Sequence, residues 1–103
     1  MKILGHEYKI NYNDNLEKQR ESCAICRFNV LEIYLDSSYP SSRIEEGLLH
    51  EVFEAIKYHL DLTDEVLSHP TLSQLAECLY QVIKDNPEYF SIKIKAPTMM
   101  AGA

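Results

Sequence analysis

LLHEVFEAIKYHL, residues 48–60, decides how the chain is read. Leu49, Val52, Phe53, Ile56 and Leu60 recur at helical spacing and fall on one face. Just upstream, Ser42-Arg43-Ile44-Glu45 fits a capping box, in which the Ser side chain accepts from the N3 amide and the Glu reaches back. Together these predict a helix over about residues 43–60. Near its start lies His50-Glu51-Val52-Phe53-Glu54. A zinc peptidase carries H-E-x-x-H, with two histidines one turn apart on one ion and the intervening Glu taking a proton from water. Here Glu54 stands in the second histidine's place. A carboxylate is an acceptable zinc ligand, but the exchange adds negative charge and favours harder ions such as Mn²⁺ or Ca²⁺. Periodicity alone puts His50 and Glu54 roughly 100–140° from the stripe's edge at Leu49, where solvated residues belong.

A second helix follows. DLTDEVLSHP breaks the first, and Pro70 has the fixed φ of a first helical turn. Leu72, Leu75, Leu79, Val82 and Ile83 form its apolar stripe, expected to face the stripe of the first helix, with Leu49 and Leu79 on the facing sides. Asp85-Asn86-Pro87 ends it, because proline cannot continue the hydrogen-bond ladder. Upstream of both helices the chain is β-prone. KILGHEYKINY, residues 2–12, alternates at Tyr8, Ile10 and Tyr12 and predicts a strand. CAICRFNVLEIYLD predicts a hairpin of strands at about 22–27 and 30–36, turning at Arg27-Phe28-Asn29. NDNLEKQRES and DSSYPSS are loops, SIKIKAP is a final strand or an extended tail, and residues 91–103 form a C-terminal tail. The expected class is α+β: a small antiparallel sheet of about three strands followed by two packed helices, in a single domain over residues 1–90.

Composition narrows the function classes. The chain has 103 residues, 46% of them hydrophobic, which suffices for one modest core. Ten basic against 16 acidic residues give a net charge of -6. The cations are scattered, so nucleic-acid binding is disfavoured, and an acidic surface suits a basic partner. No apolar run is long enough to span a membrane, and MKILGHEYKI lacks the apolar core of a signal peptide. A cytoplasmic protein is expected. Cys23, Cys26 and Cys78 are an odd set, and Cys23-Ala24-Ile25-Cys26 has neither a second CxxC nor a nearby histidine pair, so half-buried free thiols are expected. Cys78 reads as a small buried hydrophobe on the second helix. His59 reads as a packed or hydrogen-bonded neutral histidine, and His6 as exposed. Glu45 and Glu46 complement the dipole of the first helical turn.

SSRIEEGLLHEVFEAIKYHLDL and HPTLSQLAECLYQVIKDNPEYF, about residues 41–90, resemble a group of small phage- and mobile-element-encoded proteins that look like minimal zincins. The resemblance is close at both helices and loose over the strands. It implies an HExxE metal helix with His50 as first ligand, Glu51 as catalytic base and Glu54 as second ligand. A third ligand would come from the following helix: Glu77 on it, or His69 just before it, where helix capping is the alternative role. The cofactor implied is a divalent metal, zinc foremost, and the activity a metal-dependent peptidase. The alternative is a catalytically silent scaffold acting as a protein-binding or inhibitory module, either as a homodimer or docked on a host protein. Tyr58 and Tyr80 are the side chains open to an oxyanion-stabilising role.

Overall fold

The structure, a computed structural model, describes residues 1–14 and 23–90. Most of the NDNLEKQRES loop, the SIKIKAP segment and the tail at 91–103 lie outside the described residues. The opening stretch does not run as one strand. Leu4 and Gly5 take φ of 50° and 85°, the two positive values that a type I′ turn requires. They fold Lys2–Ile3 (β1) back on His6–Glu7 (β2), with Ile3 opposite His6. Tyr8 then plunges into the core at 1% exposure, and Lys9–Tyr12 (β3) continues from it.

Among the described residues three strands make the main sheet, in the order β3-β5-β4. Ala24–Arg27 (β4) and Glu32–Leu35 (β5) form an antiparallel hairpin, with Cys26 opposite Ile33. Its loop spans residues 28–31, longer than the expected turn, and closes with Leu31 at φ 58°. β3 joins the free side of β5 in parallel, Ile10 opposite Ile33. The α+β class, with a small sheet followed by two packed helices, is as the sequence predicts, but the sheet is mixed because β5, after turning back antiparallel to β4, enters between β4 and β3 and runs parallel to β3. The central position of β5 explains why Ile33 and Leu35 are buried while Glu32 and Tyr34, on the other face, are half-exposed and paired through a 2.7 Å hydroxyl–carboxylate hydrogen bond.

Asp36 leaves β5 fully buried, and its Oδ1 accepts from the Ser38 amide at 3.0 Å and the Ser38 hydroxyl at 2.6 Å. This Asx turn directs the chain into Ser41–His59 (α1). The capping box does not form. Pro40 is the N-cap, and its carbonyl accepts from the amides of Arg43 and Ile44 at 3.0 and 3.1 Å. The earlier start moves both Glu45 and Glu46 out of the first turn, and the Glu45 carboxylate accepts from the Tyr80 hydroxyl at 2.6 Å instead.

α1 lies over the sheet and buries Ala55 against Ile3, Tyr8, Ala24, Ile33 and Leu35, with Ile44, Leu48, Val52 and Ile56 packed around them. Its inward face is therefore shifted from the Leu49–Phe53–Leu60 line, and Leu60 is an exposed C-cap. The closest approach is at Gly47, where a Cβ would stand 2.8 Å from Cys23 Sγ and 3.2 Å from Ala24 Cβ. That is the reason for a glycine in mid-helix, where it costs about 1 kcal/mol relative to Ala.

His69–Asp85 (α2) packs on α1 and not on the sheet, giving three layers in the order sheet, α1, α2. Ser68 caps it, its Oγ accepting from the Thr71 amide at 3.3 Å. Only Leu72 and Ala76 are fully buried on it. Leu75 and Leu79, expected on the buried stripe, are 51% and 37% exposed, and Cys78 is exposed rather than buried. One neighbouring helix closes only a narrow arc, and the sequence stripe is wider than that arc. Pro87–Phe90 (α3) adds a single turn beyond the Asn86 C-cap. Among the described residues no helix is long and apolar enough to cross a membrane.

Candidate metal centre

A cleft of about 670 Å³ opens between α1, the start of α2 and β4, an edge strand of the sheet among the described residues. Gly47 lets α1 sit close to β4, so the next turns of α1 present His50, Glu51 and Glu54 to the cleft. The helix periodicity that places His50 and Glu54 one turn apart brings His50 Nε2 within 3.3 Å of Glu54 Oε2. Both side chains are 20% exposed, because α2 covers a flank of α1 that periodicity alone assigns to solvent.

The third member comes from α2. Ser68 takes the cap, so the His69 ring is not used there and its Nδ1 lies 2.8 Å from Glu54 Oε2. The His50 and His69 rings meet edge to face with centroids 5.1 Å apart. Each of the three residues brings one donor atom to within 4.8 Å of the other two. Two imidazoles and one carboxylate form a ligand set of zinc hydrolases, in which a fourth position is left to water or substrate. His69 is 67% exposed and forms the open side. Burial holds the His50 imidazole below the usual histidine range, outweighing the Glu54 carboxylate that pulls it up. It is thus neutral at neutral pH, the form that ligates a metal.

The other candidates fall into place around this group. Glu51 is half-buried and lines the cleft beside His50. Glu77 lines the same cleft but is exposed, and among the described residues it is not part of the cluster. Tyr80 is committed to Glu45. Tyr58 stacks on Phe28 at 4.7 Å with an interplanar angle of 8°. Cys23 and Cys26 are free and half-exposed, as expected. Burial pushes the Cys26 thiol up to about 12, with Glu51 and Glu54 adding to the rise. Cys23 is also raised by burial, and its thiol donates to the Arg43 carbonyl at 3.4 Å. Neither is poised as the thiolate that metal or redox chemistry requires.

Two arrangements were not foreseen from the sequence. Ser73 Oγ lies 3.4 Å from His50 Nδ1, on the far side of the ring from Glu54. Its position one helical turn after His69 is the signal that could have found it. The second concerns His59, which is hydrogen-bonded as expected, with Nε2 2.7 Å from the Tyr8 hydroxyl. It also stacks on exposed His6, with centroids 4.1 Å apart and an interplanar angle of 10°. Only the β1–β2 turn brings His6 there, and strand periodicity carries no sign of that turn. Compared with protein-family models, curated proteins and solved structures, the chain gives no match.

Proposed function

We propose that this chain is a small zincin-like domain that holds a divalent cation, zinc foremost, through His50, Glu54 and His69, with Glu51 as its base. The observation that supports it is the convergence of three donor atoms, from two helices, to within 4.8 Å beside a cleft. Relative to the HExxH pattern the carboxylate and one imidazole exchange places: Glu54 holds the second motif position and His69 supplies the ligand from the next helix. The ligand set remains two imidazoles and a carboxylate, which suits zinc better than the bare HExxE motif does. A bound divalent ion would supply Lewis acidity, acidifying a water in the cleft and polarising a carbonyl. Glu51, one residue from His50 on the cleft wall, would take the proton from that water and hand it to a departing amine. Peptide hydrolysis in the cytoplasm of a phage or mobile-element host is the activity this reading implies.

The test is the metal content of the purified, untagged protein, beside His50→Ala, Glu54→Ala and His69→Ala. Near-stoichiometric metal, lost in all three variants, is the expected result, and Glu51→Gln should retain metal while abolishing any peptidase activity. No uptake after adding Zn²⁺ or Mn²⁺ would sink the proposal. A second reading, a silent scaffold that binds a protein, is favoured by the exposed Leu75, Leu79 and Val82 on α2. Metal-free protein that self-associates in light scattering, or captures a partner through these residues, would decide for it.

A further inference from the structure

Resting on the metal reading above, we infer that Ser73 is the positioning residue for His50, holding the ring at Nδ1 in either tautomer, the ligating one included. The His50 ring is held at both nitrogens: Nε2 faces Glu54 Oε2 at 3.3 Å, and Nδ1 faces Ser73 Oγ at 3.4 Å. A neutral imidazole carries one N–H, so the two sides cannot both accept from it. Without a cation, the carboxylate 3.3 Å from Nε2 favours the proton there over a bare lone pair, and the Ser73 hydroxyl then donates to Nδ1. With a cation between His50, Glu54 and His69, Nε2 must present its lone pair. The proton moves to Nδ1 and the Ser73 oxygen accepts it.

A hydroxyl can do both, because it carries one rotatable donor and two lone pairs. A carboxylate at this position would accept only, and an ammonium would donate only. Ser73 therefore serves both states of the ring without moving the backbone of α2. Its place on the helix suits this role, since it follows buried Leu72, which anchors that turn, and stands one turn after His69. The residue that supplies the third ligand and the residue that orients the first thus lie on one face of a single helix, one turn apart.

The experiment titrates the full chain with Zn²⁺ against a chromophoric chelator for wild type, Ser73→Ala and Ser73→Thr. Long-range ¹⁵N spectra of the imidazoles are recorded in parallel, with and without metal. Ser73→Ala is expected to bind about 10- to 100-fold more weakly, in keeping with outer-shell partners of ligating histidines, and Ser73→Thr is expected to restore affinity. The Nδ1 resonance of His50 should move in Ser73→Ala, metal-free included, and not in Ser73→Thr. Unchanged affinity in Ser73→Ala overturns the inference and leaves the metal reading standing. Weakened affinity with an unmoved Nδ1 resonance marks a merely structural role and also overturns it. A wild-type chain that takes no Zn²⁺ removes both.

Discussion

Gly47→Ala tests the closest contact in the fold. Two effects oppose each other. Replacing a mid-helix glycine by alanine is worth up to about 1 kcal/mol through backbone entropy. Against this, the new methyl would stand 2.8 Å from Cys23 Sγ and 3.2 Å from Ala24 Cβ. The Ala24 Cβ is fixed to β4, and the Cys23 thiol can turn away only by leaving the Arg43 carbonyl it bonds at 3.4 Å. Overpacking of this kind costs about 1–3 kcal/mol, so the substitution should be net destabilising by about 1 kcal/mol. In a Cys23→Ala background the shorter contact is gone and only the 3.2 Å approach remains. There Gly47→Ala should be neutral or stabilising, a coupling of about 1 kcal/mol between the two sites. The assay is urea unfolding of the four proteins of the cycle at equal pH, read as the shift in midpoint at constant slope. A full helix-propensity gain in the wild-type background, or the same penalty in both backgrounds, would refute the close approach of α1 to β4. Because the cleft lies along this contact, Gly47→Ala should also weaken Zn²⁺ uptake, and Cys23→Ala should recover it.

Two leucines of the α2 stripe should behave differently. Leu72→Ala should cost about 2–5 kcal/mol because the side chain is fully buried, whereas Leu79→Ala, 37% exposed, should cost about 1 kcal/mol or less; equal losses in urea unfolding would contradict the layer order. Ser68→Ala should lose about 1 kcal/mol with its cap, and Ser42→Ala nothing, since Ser42 is not the N-cap. Burial and the neighbouring His6 hold His59 below the usual histidine range. The unfolded chain therefore takes up protons first as pH falls past about 6.5. The stability from this pair is complete above that point and is lost as pH drops through the lowered folded value. Urea midpoints at pH 8 and pH 5 should differ less in His6→Ala than in wild type, and an equal difference would remove the stacked pair from the account. In brief alkylation at pH 8 followed by mass spectrometry, exposed Cys78 should label first and Cys26, pushed up to about 12, last.

Much of the fold was legible because periodicity reports burial directly. Ile33 and Leu35 alternate with Glu32 and Tyr34, and the structure buries the first pair in the middle of the sheet. Both helices sit within two residues of their expected starts. What periodicity cannot carry is which partner an element finds. The parallel entry of β3 beside β5, the inward turn of Ala55 and Gly47 in place of Leu49, and the exposure of Leu75 and Leu79 all depend on how many neighbours each element has. At the candidate site, His50 and Glu54 were visible as an i, i+4 pair, but periodicity pointed them at solvent, since α2 was not yet in place. His69 had two readings until Ser68 took the cap. Glu77, on the right helix and of the right chemistry, lies in the cleft but outside the cluster.

The parallel pairing of β3 with β5 bears on the order in which the molecule assembles. β4 and β5 are joined by a short loop and α1 and α2 are neighbours in the chain, so both units can form through local contacts. Lys9 must instead find Glu32 across the whole intervening segment, and such distant closures are entropically late. The hairpin–helix unit should therefore form the folding nucleus, with the N-terminal residues docking after the rate-limiting step. Substitutions at Ile10 should speed unfolding and leave folding rates unchanged, while those at Ile33 should slow folding. The donor atoms of the cleft all reside in the part that forms early, so a cation could capture the chain before its N-terminal strand has docked.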